Sequence, residues 1–284
     1  MGANLEVIRW GRERVRTGPW RGDHRIAYLS PVPDAPLPSA HFVRRCLDQL
    51  AARGYRQVIT SALSSAEQAG FLAAGFDVHE ELHLLAHDLR SVPGADTWGL
   101  RRAGRADHPA VLAVDGRAFP AFWRIDESSL ADALAATPNT RFRVAAPGGP
   151  VAGYAVTGRA GRRGFLQRLA VDPARQRQGL GRALAVDALR WLQRWRVEQA
   201  VVNTQISNQA ALVLYESLGF RREQAGLCVL TATLEARPAP ATAGTRASSP
   251  GRGLPRPGPM PYDPAGAPTP ASSPGRGPPP RPGP

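Results

Sequence analysis

Lysine is absent from this chain of 284 residues, and cysteine is scarce. The two cysteines, Cys46 and Cys228, are too few for a disulfide framework and do not have the spacing of metal ligands. We therefore expect no metal site and a reducing, cytoplasmic compartment. No apolar run reaches about 18 residues, and the first ten residues lack the apolar core of a signal peptide. We expect neither a membrane span nor secretion.

The absence of lysine also changes how the net charge of +13 is interpreted, because all 36 basic residues are arginine. Such a bias, beside many Ala, Gly and Pro, is typical of drift in a GC-rich genome. A cofactor with several phosphates would account for local basic clusters. No interleaving of aromatic and basic residues indicates nucleic-acid binding. We therefore do not favour nucleic acid as a partner, although an interaction factor using the arginines of 9–16 stays open.

Bulky apolar residues are nearly missing from 237–284, which holds 16 of the 28 prolines. The segment Ala-Ser-Ser-Pro-Gly-Arg-Gly occurs at 247–253 and again at 271–277. Such a composition buries too little apolar area to offset the entropy of ordering. It predicts a disordered tail with polyproline II character.

The remaining residues divide near 91–99, a turn-rich stretch that we interpret as a linker. Beyond it, strand and helix patterns alternate, which predicts a mixed α/β domain over 100–236. A helix over 181–196 would turn Leu184, Ala188, Trp191 and Trp195 towards the core. The other predicted elements are strands at 141–145, 151–157, 164–171, 201–205 and 226–234, and a helix at 208–218.

A glycine-containing loop joins the strand 164–171 to the helix that follows it, with the spacing Gln176-x-x-Gly179-x-Gly181. Glycines let backbone amides approach a ligand closely, and a helix N-terminus attracts anions. The loop therefore predicts a pyrophosphate site, with Arg177 and Arg182 adding charge. It is neither the dinucleotide fingerprint, which has a third glycine, nor a P-loop, which needs Gly-Lys-Ser/Thr.

This loop resembles the coenzyme-A motif of the GNAT superfamily of N-acetyltransferases, Gln/Arg-x-x-Gly-x-Gly/Ala. Residues 208–220, Asn-Gln-Ala-Ala-Leu-Val-Leu-Tyr-Glu-Ser-Leu-Gly-Phe, are similar to the second diagnostic block of that family. The resemblance covers about 100–236 and is closest over 165–222. It implies a central, mostly antiparallel sheet with splayed middle strands, flanked by helices, and acetyl-CoA as cosubstrate.

The resemblance also implies a set of coenzyme-binding residues. These are Leu169, Ala170 and Val171 on the strand, Gln176, Arg177, Gln178, Gly179, Leu180, Gly181 and Arg182 in the loop, and Asn208. Asparagine is also a good helix cap, so Asn208 can serve both purposes.

Tyr215 matches the tyrosine that serves as general acid in this family, giving a proton to the departing thiolate. The alternative is a tyrosine that only packs against the sheet. Related acetyltransferases of ribosomal-protein N-termini carry a glutamate base where this chain has Asn203, which cannot accept a proton. Asp126 and Glu127 are the candidate substitutes, although both could be solvated helix-capping residues.

Residues 1–90 resemble a truncated, degenerate copy of the same unit. Segment 64–76 aligns without gaps on 208–220, preceded by a similar helix and strand. In this copy Ser64 replaces Asn208 and Phe71 replaces Tyr215, and no Gly-x-Gly loop precedes the helix. The copy is therefore predicted to be inactive and to pack beside the second one.

We predict an acetyl-CoA-dependent N-acetyltransferase acting on a primary amine of a small molecule or a peptide. Two alternatives stay open. One is an acyl-CoA-binding pseudoenzyme, favoured by Asn203 and opposed by Tyr215. The other is amine acetylation like that of the mycothiol synthases, which share the tandem layout. The oligomeric state is not predictable from the sequence.

Overall fold

A computed structural model describes residues 5–94 and 99–234, which we call the N-terminal half and the C-terminal half. The predicted tail at 237–284 lies outside the described residues. The N-terminal half comprises β1 (Glu6–Trp10), β2 (Glu13–Trp20), β3 (Asp23–Pro31), α1 (Ala40–Ala52), β4 (Gln57–Thr60), α2 (Ser65–Leu72) and β5 (Asp77–His87).

The C-terminal half repeats this order with two additional helices and two additional short strands. It comprises β6 (Leu100–Arg102), α3 (His108–Ala118), α4 (Glu127–Ala135), β7 (Asn139–Ala145), β8 (Gly153–Ala160), β9 (Arg163–Val171), α5 (Leu180–Arg194), β10 (Gln199–Gln205), α6 (Gln209–Ser217), β11 (Arg221–Arg222) and β12 (Leu227–Thr233). In the part of the chain that the structure describes, no helix is long and apolar enough to cross a membrane.

The described strands form one twelve-stranded sheet in the order β1-β2-β3-β4-β12-β5-β10-β9-β8-β7-β6, with β11 beside β5. Only the pairs β3–β4 and β9–β10 are parallel, and the other pairs are antiparallel. The predicted mixed α/β fold with a mostly antiparallel sheet is confirmed.

The two halves exchange their last strands. β5, from the N-terminal half, pairs through Leu82–His87 with β10 of the C-terminal half. β12, from the end of the C-terminal half, pairs with β4 on one side and with the first part of β5 on the other. Each half is therefore completed by a strand of the other, and the division 1–90, 91–99 and 100–236 stays a prediction about sequence units.

Polar side chains start most of the helices. Ser39 caps α1, Asp126 caps α4 and Asn208 caps α6, each accepting a hydrogen bond from a backbone amide of the first turn. α5 lacks such a cap, because its N-cap residue is Gly179, which has no side chain. Its first backbone amides therefore stay available for a ligand.

Helix α5 contributes more buried residues than any other helix of the C-terminal half. Its residues Leu184 and Ala188 are buried, as the helical pattern predicts. The prediction for Trp195 is wrong, because α5 ends at Arg194 and the Trp195 side chain is 55% exposed. The Arg159 guanidinium lies 4.3 Å from its ring centroid, so a cation–π contact covers part of the ring.

Candidate active site

The parallel strands β9 and β10 separate after a short contact. Their pairing covers Arg163–Phe165 and Gln199–Val201 and then stops. Beyond that point β9 pairs only with β8, so about half of its backbone groups face the gap between β9 and β10. A cavity of about 430 Å³ occupies the opening.

Most of the residues implied by the sequence line this cavity. They are Leu169, Ala170, Val171, Gln176, Arg177, Gly179, Leu180, Gly181, Arg182, Asn208 and Tyr215. Gln178 does not line it, and its side-chain oxygen accepts a hydrogen bond from Arg175 Nε at 3.1 Å on the exposed side of the loop.

The loop that leads into α5 has the backbone geometry of an anion-binding turn. Arg177 and Gly179 both have positive φ, 62° and 81°, which orients successive N–H groups towards one side. A side chain at Gly179 would be strained by this conformation. A Cβ on Gly181 would lie 3.3 Å from Leu214 Cδ2 of α6, so glycine keeps the space between the start of α5 and α6 open.

Tyr215 lies on α6 with 6% of its surface exposed, and its ring packs 5.5 Å from that of Phe220. Burial raises the pKa of the phenol, against the opposing effect of the Arg168 charge. The phenol is therefore protonated at neutral pH. In the described part of the chain its hydroxyl makes no hydrogen bond, and it borders the cavity.

Two asparagines border the same cavity from β10 and α6. Asn203 on β10 is half-buried and lines the cavity. Its side-chain amide cannot serve as a base. The side chain of Asn208 accepts a hydrogen bond from the Ala211 amide at 3.1 Å. Asn208 therefore caps α6 and at the same time borders the cavity.

The candidate bases Asp126 and Glu127 lie outside the lining of this cavity. Asp126 accepts hydrogen bonds from the Ser129 amide at 2.8 Å and from the Ser128 hydroxyl. Glu127 lies 2.6 Å from Nδ1 of His108. Both carboxylates therefore already have partners, Asp126 at the start of α4 and Glu127 at the start of α3.

Sequence reasoning missed a buried polar cluster beside the cavity. Arg168 on β9 donates to Asp115 Oδ2 from Nε at 2.9 Å and from Nη2 at 2.7 Å, and Nη2 also donates to the Trp123 carbonyl. Tyr154 donates to the same carboxylate at 2.5 Å. An arginine inside an otherwise apolar strand is the signal that could have identified this cluster.

The N-terminal half holds the loop between α3 and α4 in place. Phe122, in this loop, stacks on Trp20 at 6.2 Å and on His79 at 5.6 Å. Arg21, at the turn between β2 and β3, donates to the Phe122 carbonyl at 3.2 Å. The loop residues Phe119 and Trp123 border the cavity, so the N-terminal half supports one of its walls.

In the N-terminal half, the corresponding position is closed by the chain itself. Helix α1 follows the parallel strand β3 as α5 follows β9, but its N-terminus is capped by Ser39, whose amide and hydroxyl donate to the carboxylate of Glu13. Gly70 of α2, which aligns with Leu214, packs so closely on the Pro38 carbonyl that a Cβ would collide with it. Little room is left there for a ligand.

A splayed pair of parallel strands, a helix N-terminus without a side-chain cap and a buried tyrosine therefore meet at one cavity. Residues 109–220 match the model of the Acetyltransferase (GNAT) family.

Named relatives agree with this family. The chain is 32% identical over 206 residues to the mycothiol acetyltransferase of Amycolatopsis mediterranei, covering 63% of this chain and 66% of the relative. It is 43% identical over 72 residues to the [Ribosomal protein bS18]-alanine N-acetyltransferase of Escherichia coli K12, covering 25% of this chain and 49% of the relative. The matches thus span just under two thirds of the first relative and about half of the second.

A solved structure has the same overall fold. It is described as a tandem GNAT protein from the clavulanic acid biosynthesis pathway, and it matches with a TM-score of 0.60 at 14% identity, covering 82% of each chain. This similarity extends over both halves of the present chain.

Proposed function

We propose that the C-terminal half transfers an acetyl group from acetyl-CoA to a primary amine of a small molecule or a peptide. One observation carries the proposal: the uncapped N-terminus of α5 and the protonated Tyr215 border the same cavity, beside the unpaired edge of β9.

The residues present fit acetyl-CoA. The amides from Arg177 to Arg182, with their positive dipole end, suit a pyrophosphate, and both arginines add charge. The backbone of Leu169–Val171 offers hydrogen bonds to an extended arm, and Asn208 borders the same path. Acetyl-CoA would supply the acetyl group as a thioester.

In this proposal the residues of the chain do three things. The free edge of β9 orients the reacting carbonyl, and the apolar walls exclude water. Tyr215 holds the proton that the departing thiolate takes up, and its raised pKa keeps that proton in place until transfer. Asn203 offers no base, so the acceptor amine loses its proton to water or to a group other than residue 203.

The acceptor is proposed only as a primary amine. The Amycolatopsis relative is named for mycothiol and the E. coli relative for an alanine of a ribosomal protein. The longer match to the mycothiol relative, over 206 residues, favours a small-molecule acceptor, as in mycothiol-synthase-like acetylation. The similarity to the protein acetyltransferase is confined to 72 residues.

We further propose that residues 1–90 are a degenerate GNAT-like unit, 91–99 a linker, 100–236 the catalytic unit and 237–284 a tail. The self-capped α1 and the close contact of Gly70 with Pro38 support an inactive first unit. They also support a stoichiometry of one coenzyme per chain.

Titration calorimetry of the full chain with acetyl-CoA tests the cofactor site. Wild type should bind one equivalent, and Gly179→Ala should bind at least tenfold more weakly because its left-handed backbone forms the loop. Gly148→Ala is the matched control, with a φ of +67° in the turn between β7 and β8, away from the cavity. Absence of binding by folded wild type would refute the proposal.

A pseudoenzyme is the second candidate, since Asn203 replaces the base. Release of free coenzyme A thiol in the presence of a library of amines separates the two. Binding without any amine-dependent release would favour the pseudoenzyme.

A further inference from the structure

A second cavity of about 380 Å³ lies between the two halves of the chain. Strands β2 and β3 form one side of it, and helix α4 with strand β9 forms the other. Gln167 and Arg168 border both this cleft and the cavity of about 430 Å³ beside β9, which we call the coenzyme cavity. The two cavities therefore adjoin at these two residues of β9.

The cleft has an excess of positive charge. Arg16, Arg21 and Arg168 line it, and Asp115 neutralises Arg168 from behind. The acidic residue in its lining, Asp132, already has a partner. Within residues 5–94 and 99–234, neither Arg16 nor Arg21 forms an ion pair.

Arg21 is the most unusual of these charges. Its guanidinium has five N–H donors, and its hydrogen bond within the described chain is the one to the Phe122 carbonyl. Burial, together with the positive charge of Arg168, lowers the pKa of Arg21 to about 9. Asp115 and Asp126 offset this only in part. Two repelling guanidiniums bordering one cleft would be relieved by an anion between them.

Flat apolar walls accompany the charges. Trp20 and Tyr28 both line the cleft and stack on each other with centroids 5.8 Å apart. Ser128 and Ser129 at the start of α4 border the opposite side. Charge and apolar surface together fit a compact organic molecule with one anionic end.

We propose that this cleft binds the acceptor, and that the acceptor is a small amine carrying an anionic group, a carboxylate or a phosphate, held by Arg21 and Arg16. The amine end points past Gln167 and Arg168 into the coenzyme cavity. The inference rests on the proposed acetyltransferase activity. It assigns the degenerate N-terminal half a direct part in substrate selection.

The kinetic test compares acceptors that differ only in the anionic group. Release of coenzyme A thiol is measured with alanine against alaninamide, and with phosphoethanolamine against ethanolamine, using the full chain. Wild type should prefer the anionic member of at least one pair by tenfold or more in kcat/KM, and the pair that does so identifies carboxylate or phosphate as the anion.

Arg21→Met should reduce that preference to less than threefold, while Arg21→Lys keeps part of it. Arg14→Met, which removes an exposed arginine of β2 that does not line the cleft, is the matched control and should leave the preference unchanged. Equal use of both members of each pair, preference for the neutral ones or for peptides, or an unchanged preference in Arg21→Met would overturn the proposal.

A thermal-unfolding experiment that does not require activity separates this proposal from the proposed function. Inorganic phosphate and acetate are added to chain saturated with acetyl-CoA, which blocks the pyrophosphate loop, and the melting temperature is recorded. At least one anion should raise it in wild type and in Arg14→Met but not in Arg21→Met. If acetyl-CoA does not bind or no amine reacts, the proposed function fails, and the same titration without acetyl-CoA decides anion binding. If the anions change the melting temperatures of wild type and Arg21→Met equally in that titration, the anion site is overturned as well.

Discussion

Arg168 on β9 and Asp115 on α3 form a buried ion pair in which two guanidinium nitrogens donate to one carboxylate oxygen. The other carboxylate oxygen accepts from the Ile125 amide at 2.8 Å. The pair therefore joins the splayed strand, the first helix of the C-terminal half and the loop that borders both cavities.

Asp115→Ala should destabilise the chain strongly, because it leaves the guanidinium of Arg168 buried without its counter-ion. Breaking a buried pair in this way costs about 3–5 kcal/mol. Urea unfolding followed by circular dichroism measures the loss. The double variant Asp115→Ala with Arg168→Met should recover part of it, and a double variant as unstable as the sum of the single ones would contradict this account.

Tyr215→Phe should lower kcat by about 10²-fold while leaving acetyl-CoA affinity and stability nearly unchanged. The ring contacts with Phe220 are kept, and the lost hydroxyl has no hydrogen-bond partner in the described chain. Because burial raises the pKa of Tyr215, ionisation of the phenol should not reduce wild-type kcat up to about pH 10. Stopped-flow or steady-state thiol release against pH checks both statements. Unchanged kcat in the variant would reduce Tyr215 to a packing residue.

Gly70→Ala should destabilise the N-terminal half by about 1–3 kcal/mol, since the added Cβ meets the Pro38 carbonyl. Gly116→Ala in α3 is the matched control, because nothing lies within 4 Å of its added Cβ. There alanine should stabilise the helix by about 0.5–1 kcal/mol. Opposite signs in thermal unfolding are expected, and the same sign for both would show that the close contact is relaxed in solution.

Stability should fall as the pH drops below about 6.5, in part because of His87. Its Nδ1 accepts from the Leu89 amide at 2.9 Å, so Nε2 carries the proton and donates to the Leu218 carbonyl at 3.0 Å. Burial lowers the pKa of His87 in the folded chain. Between that lowered pKa and 6.5 the unfolded chain binds one proton more, so acid favours unfolding by up to about 1.4 kcal/mol per pH unit.

Unfolding free energies measured from pH 5 to 8 test this. Burial lowers the pKa of His79 as well, so that residue adds a slope of the same sign. His87→Gln should remove its own share of the slope, whereas His24→Gln, which replaces an exposed histidine, should not. An unchanged slope in His87→Gln would exclude the assignment to this residue.

The elements of the C-terminal half were predictable because their signals are local. Gly179 and Gly181 mark the start of α5, Asn208 marks the start of α6, and the glycines between Pro147 and Pro150 mark the turn between β7 and β8. Each depends on backbone conformations or caps that neighbouring residues determine. Trp195 was mispredicted because the helical period continues in the sequence after the helix itself has ended.

The pairing of Arg168 with Asp115 was not predictable, because the two residues are 53 positions apart and neither belongs to a local motif. The same holds for the cleft between the halves, where β2 and β3 meet α4 only through tertiary packing. The sequence did contain the arginines, without indicating which of the chain's many arginines share a cavity.

By itself, the sequence predicted a GNAT-like unit with a phosphate loop, a degenerate copy before it and the replacement of the expected base by Asn203. Only the tertiary structure decided that β5 and β12 change places between the halves. The physical reason is that strands pair through backbone hydrogen bonds, and the side-chain pattern of one strand does not assign those bonds to a particular neighbour. Packing of the two halves within one sheet selects the neighbours, and it also places Arg21 of the first half and Arg168 of the second on one cleft.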